Sequence, residues 1–212
     1  MRAVLVAGST LTAELNRSEI LSADLLIAVD GGAEALMRVG LTPHLLVGDL
    51  DSVSAGTRDE LVARGVGVLL LPTAKDETDT EAALRVAVER GASTVTVLGA
   101  LGGPRLDHLV GNLLLLTSPV LGGVSVRLVD ELHEAFLVKG NSVFRGERGD
   151  TVSLLPLTPR VESVVTEGLL YPLSGETLFQ GSTRGVSNVM TGSEARVRHG
   201  EGVLLLFHYR GK

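Results

Sequence analysis

Two aspartates with one residue between them, Asp49 and Asp51, follow an apolar run and a glycine in Leu45-Leu46-Val47-Gly48-Asp49-Leu50-Asp51-Ser52. Carboxylates this close repel each other, so ionising both is costly unless a cation or strong donors compensate. A hard divalent ion such as Mg²⁺, which takes oxygen ligands and arrives with substrate phosphates, is the natural compensation. The pair reads equally well as one Asp capping the next helix and one solvated Asp. Asp30, in Asp30-Gly31-Gly32, also follows an apolar run and opens a helical segment. It stands either where exposed backbone donors receive an anion or as an ordinary cap. A third acidic group lies in Lys75-Asp76-Glu77-Thr78-Asp79-Thr80-Glu81. Thr78 and Glu81 have the spacing of a capping box. Asp76 and Asp79 remain as extra carboxylates, favoured at a helix start by the dipole. Two strand ends that each carry paired acids could converge on one cation.

Further along, Gly102-Gly103-Pro104-Arg105-Leu106-Asp107-His108 combines a glycine turn with a guanidinium, a carboxylate and an imidazole. Arg105 offers a planar fork of donors suited to phosphate. His108 reads either as a hydrogen-bonded helix-start histidine or as a ligand contact. With Asn112 it shares a helix face with Arg105. Gly181-Ser182-Thr183-Arg184-Gly185-Val186-Ser187-Asn188 is rich in small, hydrogen-bonding side chains. That composition suits a tight turn or the orientation of a polar ligand.

The elements that must hold these groups follow from hydrophobic pattern. Strands are expected at 3–7 (ending in a loop at Gly8, Ser9 and Thr10), 25–29, 45–47, 66–71, 95–98 and 124–129. Helices are expected at 33–39, from the capping-box pattern Thr57-Arg58-Asp59-Glu60 to near Gly65, at 82–90, and after Arg105. In the last of these, Leu106, Leu109, Val110, Leu113 and Leu114 make one apolar face. Alternating strands and helices imply a mostly parallel sheet covered on both faces, whose ligands gather beyond the carboxyl ends of the strands. After Asp130 the texture changes to short β-rich pieces at 135–138, 151–155, 161–166, 196–199 and 203–207, punctuated by Gly, Pro, Ser and Asn. The expected organisation is an α/β/α domain over 1–130 and a smaller β-sandwich over 131–212.

Composition excludes several functions. Apolar residues are 44% of the 212, enough for a proper core. A net charge of −6 gives no basic footprint for nucleic acid, and 3% aromatics with no Trp give no stacking surface for single strands. Phosphate compounds must therefore be held by local donors and metal. With no cysteine there are no disulfides and no thiolate metal sites. No apolar run reaches membrane-spanning length, and no signal-peptide cleavage region follows the first residues. A cytoplasmic protein is expected.

In order along the chain, Asp30-Gly31-Gly32-Ala33, Gly48-Asp49-Leu50-Asp51-Ser52, Lys75-Asp76-Glu77-Thr78-Asp79, Gly103-Pro104-Arg105-Leu106-Asp107-His108 and Gly185-Val186-Ser187-Asn188 resemble the thiamine pyrophosphokinase family. The resemblance implies a catalytic α/β domain, a β-sandwich that helps bind thiamine, and a homodimer with active sites between subunits. It implies transfer of the pyrophosphoryl group of ATP to the thiamine hydroxyl, giving thiamine diphosphate and AMP. Asp49, Asp51 and Asp79 would hold Mg²⁺, with Asp30 and Asp76 nearby. Arg105 would stabilise phosphate charge, Asp107 would position Arg105 or the ligand, and Ser187 and Asn188 would orient thiamine. Thr78 and His108 complete the expected binding set. Pro104 stands between the glycines and Arg105, where the common family form has Arg directly after them. Val189 stands where Glu is frequent, and the Trp that some members place near thiamine is absent.

Three other readings compete. A related diphosphokinase could act on another alcohol such as a hydroxymethyl pterin, which the scarcity of stacking aromatics disfavours. A haloacid-dehalogenase-type phosphatase also uses Asp-x-Asp, but after its first strand rather than its third. A noncatalytic binder of thiamine compounds would need no cluster of acids.

Overall fold

The computed structural model describes residues 1–8 and 13–211, so the loop expected at Ser9 and Thr10 lies outside the described residues. The chain divides into two compact units, Met1–Glu131 and Leu132–Lys212.

The first unit alternates strands and helices: β1 (Arg2–Ala7), α1 (Ala13–Leu21), β2 (Leu25–Val29), α2 (Gly32–Arg38), β3 (Leu45–Gly48), α3 (Ala55–Ala63), β4 (Gly67–Leu70), α4 (Asp79–Glu89), β5 (Thr94–Leu98), α5 (Leu106–Leu115) and β6 (Ser125–Val129). A short 3₁₀ turn at Pro119–Leu121 precedes β6. The strands lie in the order β6-β5-β1-β2-β3-β4, and every pairing is parallel. Parallel strands need crossovers, and the helices supply them. The loops that leave β2, β3, β4 and β5 therefore all emerge at one edge of the sheet.

Alternation along the strands explains the two covered faces. Val4, Val6, Leu26, Ala28 and Leu46 share a core cluster with Ala33, Ala35 and Leu36 of α2 and Leu61 of α3. Leu5, Ile27 and Val47, offset by one residue, are also fully buried, and α4 packs against β1, β2 and β3. The edge strand β4 buries none of its side chains.

Three features depart from the sequence reading. Helix α1 has no apolar period to announce it, since Ile20 alone is buried among residues 17–21. The cap of α3 is Ser54, whose side chain accepts the Thr57 N–H at 3.1 Å, so Thr57 is the third helical residue rather than the cap. The reciprocal bond of a capping box comes from another helix: Glu34 of α2 accepts the Ser54 N–H at 2.9 Å. The third departure is α5, which buries no residue: Leu106, Val110 and Leu114 are 74%, 51% and 53% exposed.

The second unit is all β. Strands β7 (His133–Leu137), β9 (Thr151–Pro156), β12 (Asn188–Val189) and β14 (Leu204–Tyr209) form one antiparallel sheet, in the order β12-β9-β14-β7. Strands β8 (Asn141–Arg145), β10 (Arg160–Glu167), β11 (Ser174–Phe179) and β13 (Glu194–Arg198) form the other, in the order β11-β10-β13-β8. Val152, Leu154, Leu204 and Leu206 of the first sheet share one core with Phe144, Val161, Leu178 and Val197 of the second, as in a sandwich. Strands β8, β11 and β12 have too few apolar residues to be read from pattern alone. Within this core His208 meets Asp150 at 2.8 Å, both almost fully buried.

Also in the first unit, Glu19 on α1 pairs with Arg2 of β1 and, at 2.7 Å, with Arg127 of β6, which also donates to Thr96 of β5. Burial pushes the Glu19 carboxyl up, but the hydrogen bond and charge of Arg127, then those of Arg2, outweigh it and leave it below the ordinary value. A lowered folded value means that this stability is in place above the ordinary glutamate value of about 4.3 and is lost as pH falls through the lowered one. Glu19→Gln is expected to cost about 1–2 kcal/mol at pH 7 and to flatten the acid limb of a pH series of thermal melts. An acid limb identical to the parent's would contradict this role.

Candidate active site

Two sharp turns gather the acids at the carboxyl edge of the parallel sheet. After β2 the chain enters Asp30 at φ 43°, with its N–H bonded to Val47 O of β3 at 2.9 Å. Gly32 then passes so close to β1 that a Cβ there would stand 1.8 Å from Val6 O. After β3, Gly48 takes φ 152° beside Asp30, whose Cβ would be 3.1 Å from any Cβ added at Gly48. Leu50 follows at φ 64°. Among the described residues the non-glycine positions with positive φ are Asp30, Leu50, Ser163 and Ser187. Three of them fall in segments singled out for chemistry, and such strain collects at functional sites.

The result is a trio: Asp30, Asp49 and Asp51 each offer a carboxylate oxygen, all within 4.8 Å of one another. The capping alternatives do not hold, because α2 is capped at Gly31 without a side-chain bond and α3 by Ser54. Asp49 Oδ1 accepts the Asp51 N–H at 3.3 Å, and Ser52 Oγ donates to Asp51 Oδ1 at 2.9 Å. Asp30 Oδ1 is buried without a protein donor. Burial pushes the Asp30 carboxyl upward, and the charge of Asp51 adds to the push. Donors at Ser52 and Gly31 offset only part of it. An orphaned buried oxygen within an all-oxygen set of like charges fits a hard divalent cation.

Asp79 lies outside this trio, on the far side of Lys75. The Lys75 ammonium stands 3.4 Å from Asp49 Oδ2, 3.2 Å from Asp79 Oδ1 and 3.1 Å from Pro72 O. Desolvation would lower its pKa, but the hydrogen bonds and charges of Asp79 and then Asp49 raise it on balance. Lys75 is thus an internal counter-cation between Asp49 of the trio and Asp79. Its i, i+4 spacing to Asp79 was the available sequence signal. Asp76 is exposed, and Thr78 caps α4 by accepting the Glu81 N–H at 3.2 Å.

At the start of α5 the Arg105 guanidinium grips Asp107 in a two-point pair, at 2.9 Å and 2.5 Å. Arg105 holds the Asp107 carboxyl well below the usual carboxylate range, and both side chains are exposed. His108 is exposed as well, while Asn112 turns inward and donates to Ala100 O at 3.0 Å.

In the second unit, Ser187 (φ 61°) is exposed and its N–H donates to Ser153 Oγ at 3.1 Å. The Asn188 amide instead serves the main chain. Its Oδ1 accepts the N–H groups of Tyr171 and Val189 at 3.0 Å and 2.9 Å, and its Nδ2 donates to Tyr171 O at 2.7 Å. One amide proton remains for a ligand. The clamp holds the main chain of Tyr171, a residue that is 59% exposed and that periodicity did not single out.

Comparison with known proteins points the same way in both units. The family profile "Thiamin pyrophosphokinase, catalytic domain" matches residues 17–128, and "Thiamin pyrophosphokinase, vitamin B1 binding domain" matches residues 142–204. The chain is 28% identical over 184 residues to the thiamine pyrophosphokinase of Bacillus subtilis, covering 86% of each. It also superposes over its whole length on the whole crystal structures of two such proteins. For that of Bacillus subtilis the TM-score is 0.88 at 26% identity. For the Enterococcus faecalis family protein it is 0.85 at 28% identity.

Loss of the Asn188 clamp is expected to register as stability. Asn188→Ala removes three hydrogen bonds to partly exposed main chain and should cost about 1–2 kcal/mol in a thermal melt. Asn188→Asp keeps the acceptor and should recover part of the loss. An unaltered melt in Asn188→Ala would contradict the clamp.

Proposed function

The chain belongs to the thiamin pyrophosphokinase family, and from that premise we propose that it transfers the pyrophosphoryl group of ATP to the hydroxyl of thiamine, giving thiamine diphosphate and AMP. The observation that carries the reading is the convergence of Asp30, Asp49 and Asp51 at the carboxyl edge of a parallel sheet. The thiamine oxygen forms a bond to the β-phosphorus, the bridge between the α- and β-phosphates breaks, AMP leaves with the bridging oxygen, and the hydroxyl proton is released.

Such transfer needs alignment and charge neutralisation more than covalent help. The Asp trio would hold Mg²⁺, with Asp79 and Asp76 behind Lys75 as outer acids. When bound, the ion would neutralise charge on the phosphate oxygens. Arg105 brings a preformed fork, and its release from Asp107 would let phosphate oxygens take the carboxylate's place. A chain of net charge −6 attracts the thiazolium cation but repels a polyphosphate, so local cations are needed where ATP lies. Ser187 and Tyr171, both exposed, would offer a hydroxyl and an apolar ring to thiamine. We place the reaction in the cytoplasm and on a homodimer whose active sites involve both subunits. The exposed apolar stripe of Leu106, Val110 and Leu114 supports a second subunit, since solvent is a poor environment for it.

Incubation with ATP, Mg²⁺ and a panel of thiamine and pterin alcohols, with products read by mass, should yield thiamine diphosphate and AMP alone. ADP as the nucleotide product, or turnover of a pterin alcohol in preference to thiamine, would overturn the assignment. Asp49→Asn and Asp51→Asn should each lower turnover at least a hundredfold with the thermal melt preserved, as loss of one charge-stabilising group does elsewhere. Parental activity in both would remove the acids from the mechanism. Val110→Glu should shift the chain toward monomer in sedimentation. An unchanged dimer would clear α5 of any part in the interface.

A further inference from the structure

Leu50 combines two properties that conflict. Its φ of 64° lies in the left-handed region, where a Cβ approaches the following carbonyl. Only Gly, Asn and Asp visit that region routinely, and leucine has no polar side chain to bond locally in compensation. Gly48, two residues earlier, meets its own φ of 152° and the close approach of Asp30 with glycine, whereas position 50 keeps a side chain in spite of its φ. What leucine adds is a side chain packed, with Val53, against the core cluster of β1, β2, β3, α2 and α3. The Leu50 carbonyl also accepts the Val53 N–H at 3.3 Å.

We propose that Leu50 is a positioning residue for the cation site: its anchored side chain holds the left-handed turn that keeps Asp49 and Asp51 converged before any ion arrives. In an extended strand, residues two apart are separated by about 6.6 Å along the chain. At Leu50 the chain instead folds back so that the Asp51 N–H reaches Asp49 Oδ1 at 3.3 Å, and the oxygens of both residues and of Asp30 fall within 4.8 Å. The carboxylates repel one another, so without an anchor the turn would relax and separate them. Apolar burial thereby holds like charges together, and the cation meets a formed site.

The inference rests on the reading that the trio binds a divalent ion, and the test separates the two. Mn²⁺ alone is titrated into the full-length chain and its variants, with the free ion followed by electron paramagnetic resonance, beside a thermal melt and Mg²⁺-dependent kinetics. Leu50→Ala and Leu50→Gly both lose the anchor, and the second also removes the backbone strain, so one of them remains usable if the other is poorly folded. Both are expected to bind Mn²⁺ roughly five- to thirtyfold more weakly and to need more Mg²⁺ for half-maximal rate, with kcat at saturating Mg²⁺ within about threefold of the parent. Leu50→Met, which can refill the same apolar space, should restore parental Mn²⁺ affinity. Parental affinity in Leu50→Ala or Leu50→Gly, whatever their melting temperatures, would overturn the positioning role. Asp51→Asn serves as the control. Undiminished Mn²⁺ binding there, or no Mn²⁺ bound by the parent chain, would overturn the underlying reading of the trio.

Discussion

Repulsion among carboxylates gathered at one edge of a parallel sheet is the constraint around which the first unit is organised. Asp30, Asp49 and Asp51 present oxygens within 4.8 Å of one another, and Lys75 separates that trio from Asp79. Three like charges at such range do not assemble spontaneously. They are brought together by main chain that is itself uncomfortable, with Asp30 and Leu50 at positive φ. The opposing gain comes from burial behind the turns, where β2 and β3 lie wholly within the core and Leu50 packs against it. A rigid apolar scaffold thus maintains an electrostatic arrangement that a flexible loop would dissipate.

Parallel topology gives this arrangement its reach. Because β1 to β6 run in one direction, each loop carrying a candidate group opens at the same edge, including Asp30 after β2, Asp49 after β3, Asp79 after β4 and Arg105 after β5. Secondary bonds then fix individual loops. Glu34 of α2 holds the start of α3 and so closes the segment that begins at Asp49, while Asn112 ties α5 to the turn after β5. The second unit uses comparable means with no charge: the Asn188 amide fastens Tyr171, and Ser153 fastens Ser187.

The layered α/β half was legible because its strands are continuous apolar runs, such as Leu25–Val29, and its helices carry capping signals such as Thr78 with Glu81. Where those signals fail, reading fails too. Helix α1 hides because residues 17–21 bury only Ile20, and the cap of α3 shifted because its reciprocal carboxylate, Glu34, lies twenty residues away in the chain. Spacing marked Asp49 and Asp51 as a pair, but only the pairing of β2 with β3 brings Asp30 beside them in place of Asp79. At Asn188 the side chain is tied to the main chain of Tyr171 and keeps one amide proton for a ligand, a structural role the sequence did not announce. A tertiary hydrogen bond of that kind leaves no local pattern.

Where a divalent ion sits when nucleotide is present decides whether the trio is the cation site. Crystals of the chain grown with Mn²⁺ and a non-hydrolysable ATP analogue, measured at the manganese absorption edge, locate it directly. The expected result is an anomalous peak at coordinating distance from Asp30, Asp49 and Asp51, with analogue phosphate oxygens completing the shell. Manganese bound at Asp76 and Asp79 alone, or on the analogue with no contact to the trio, would contradict it.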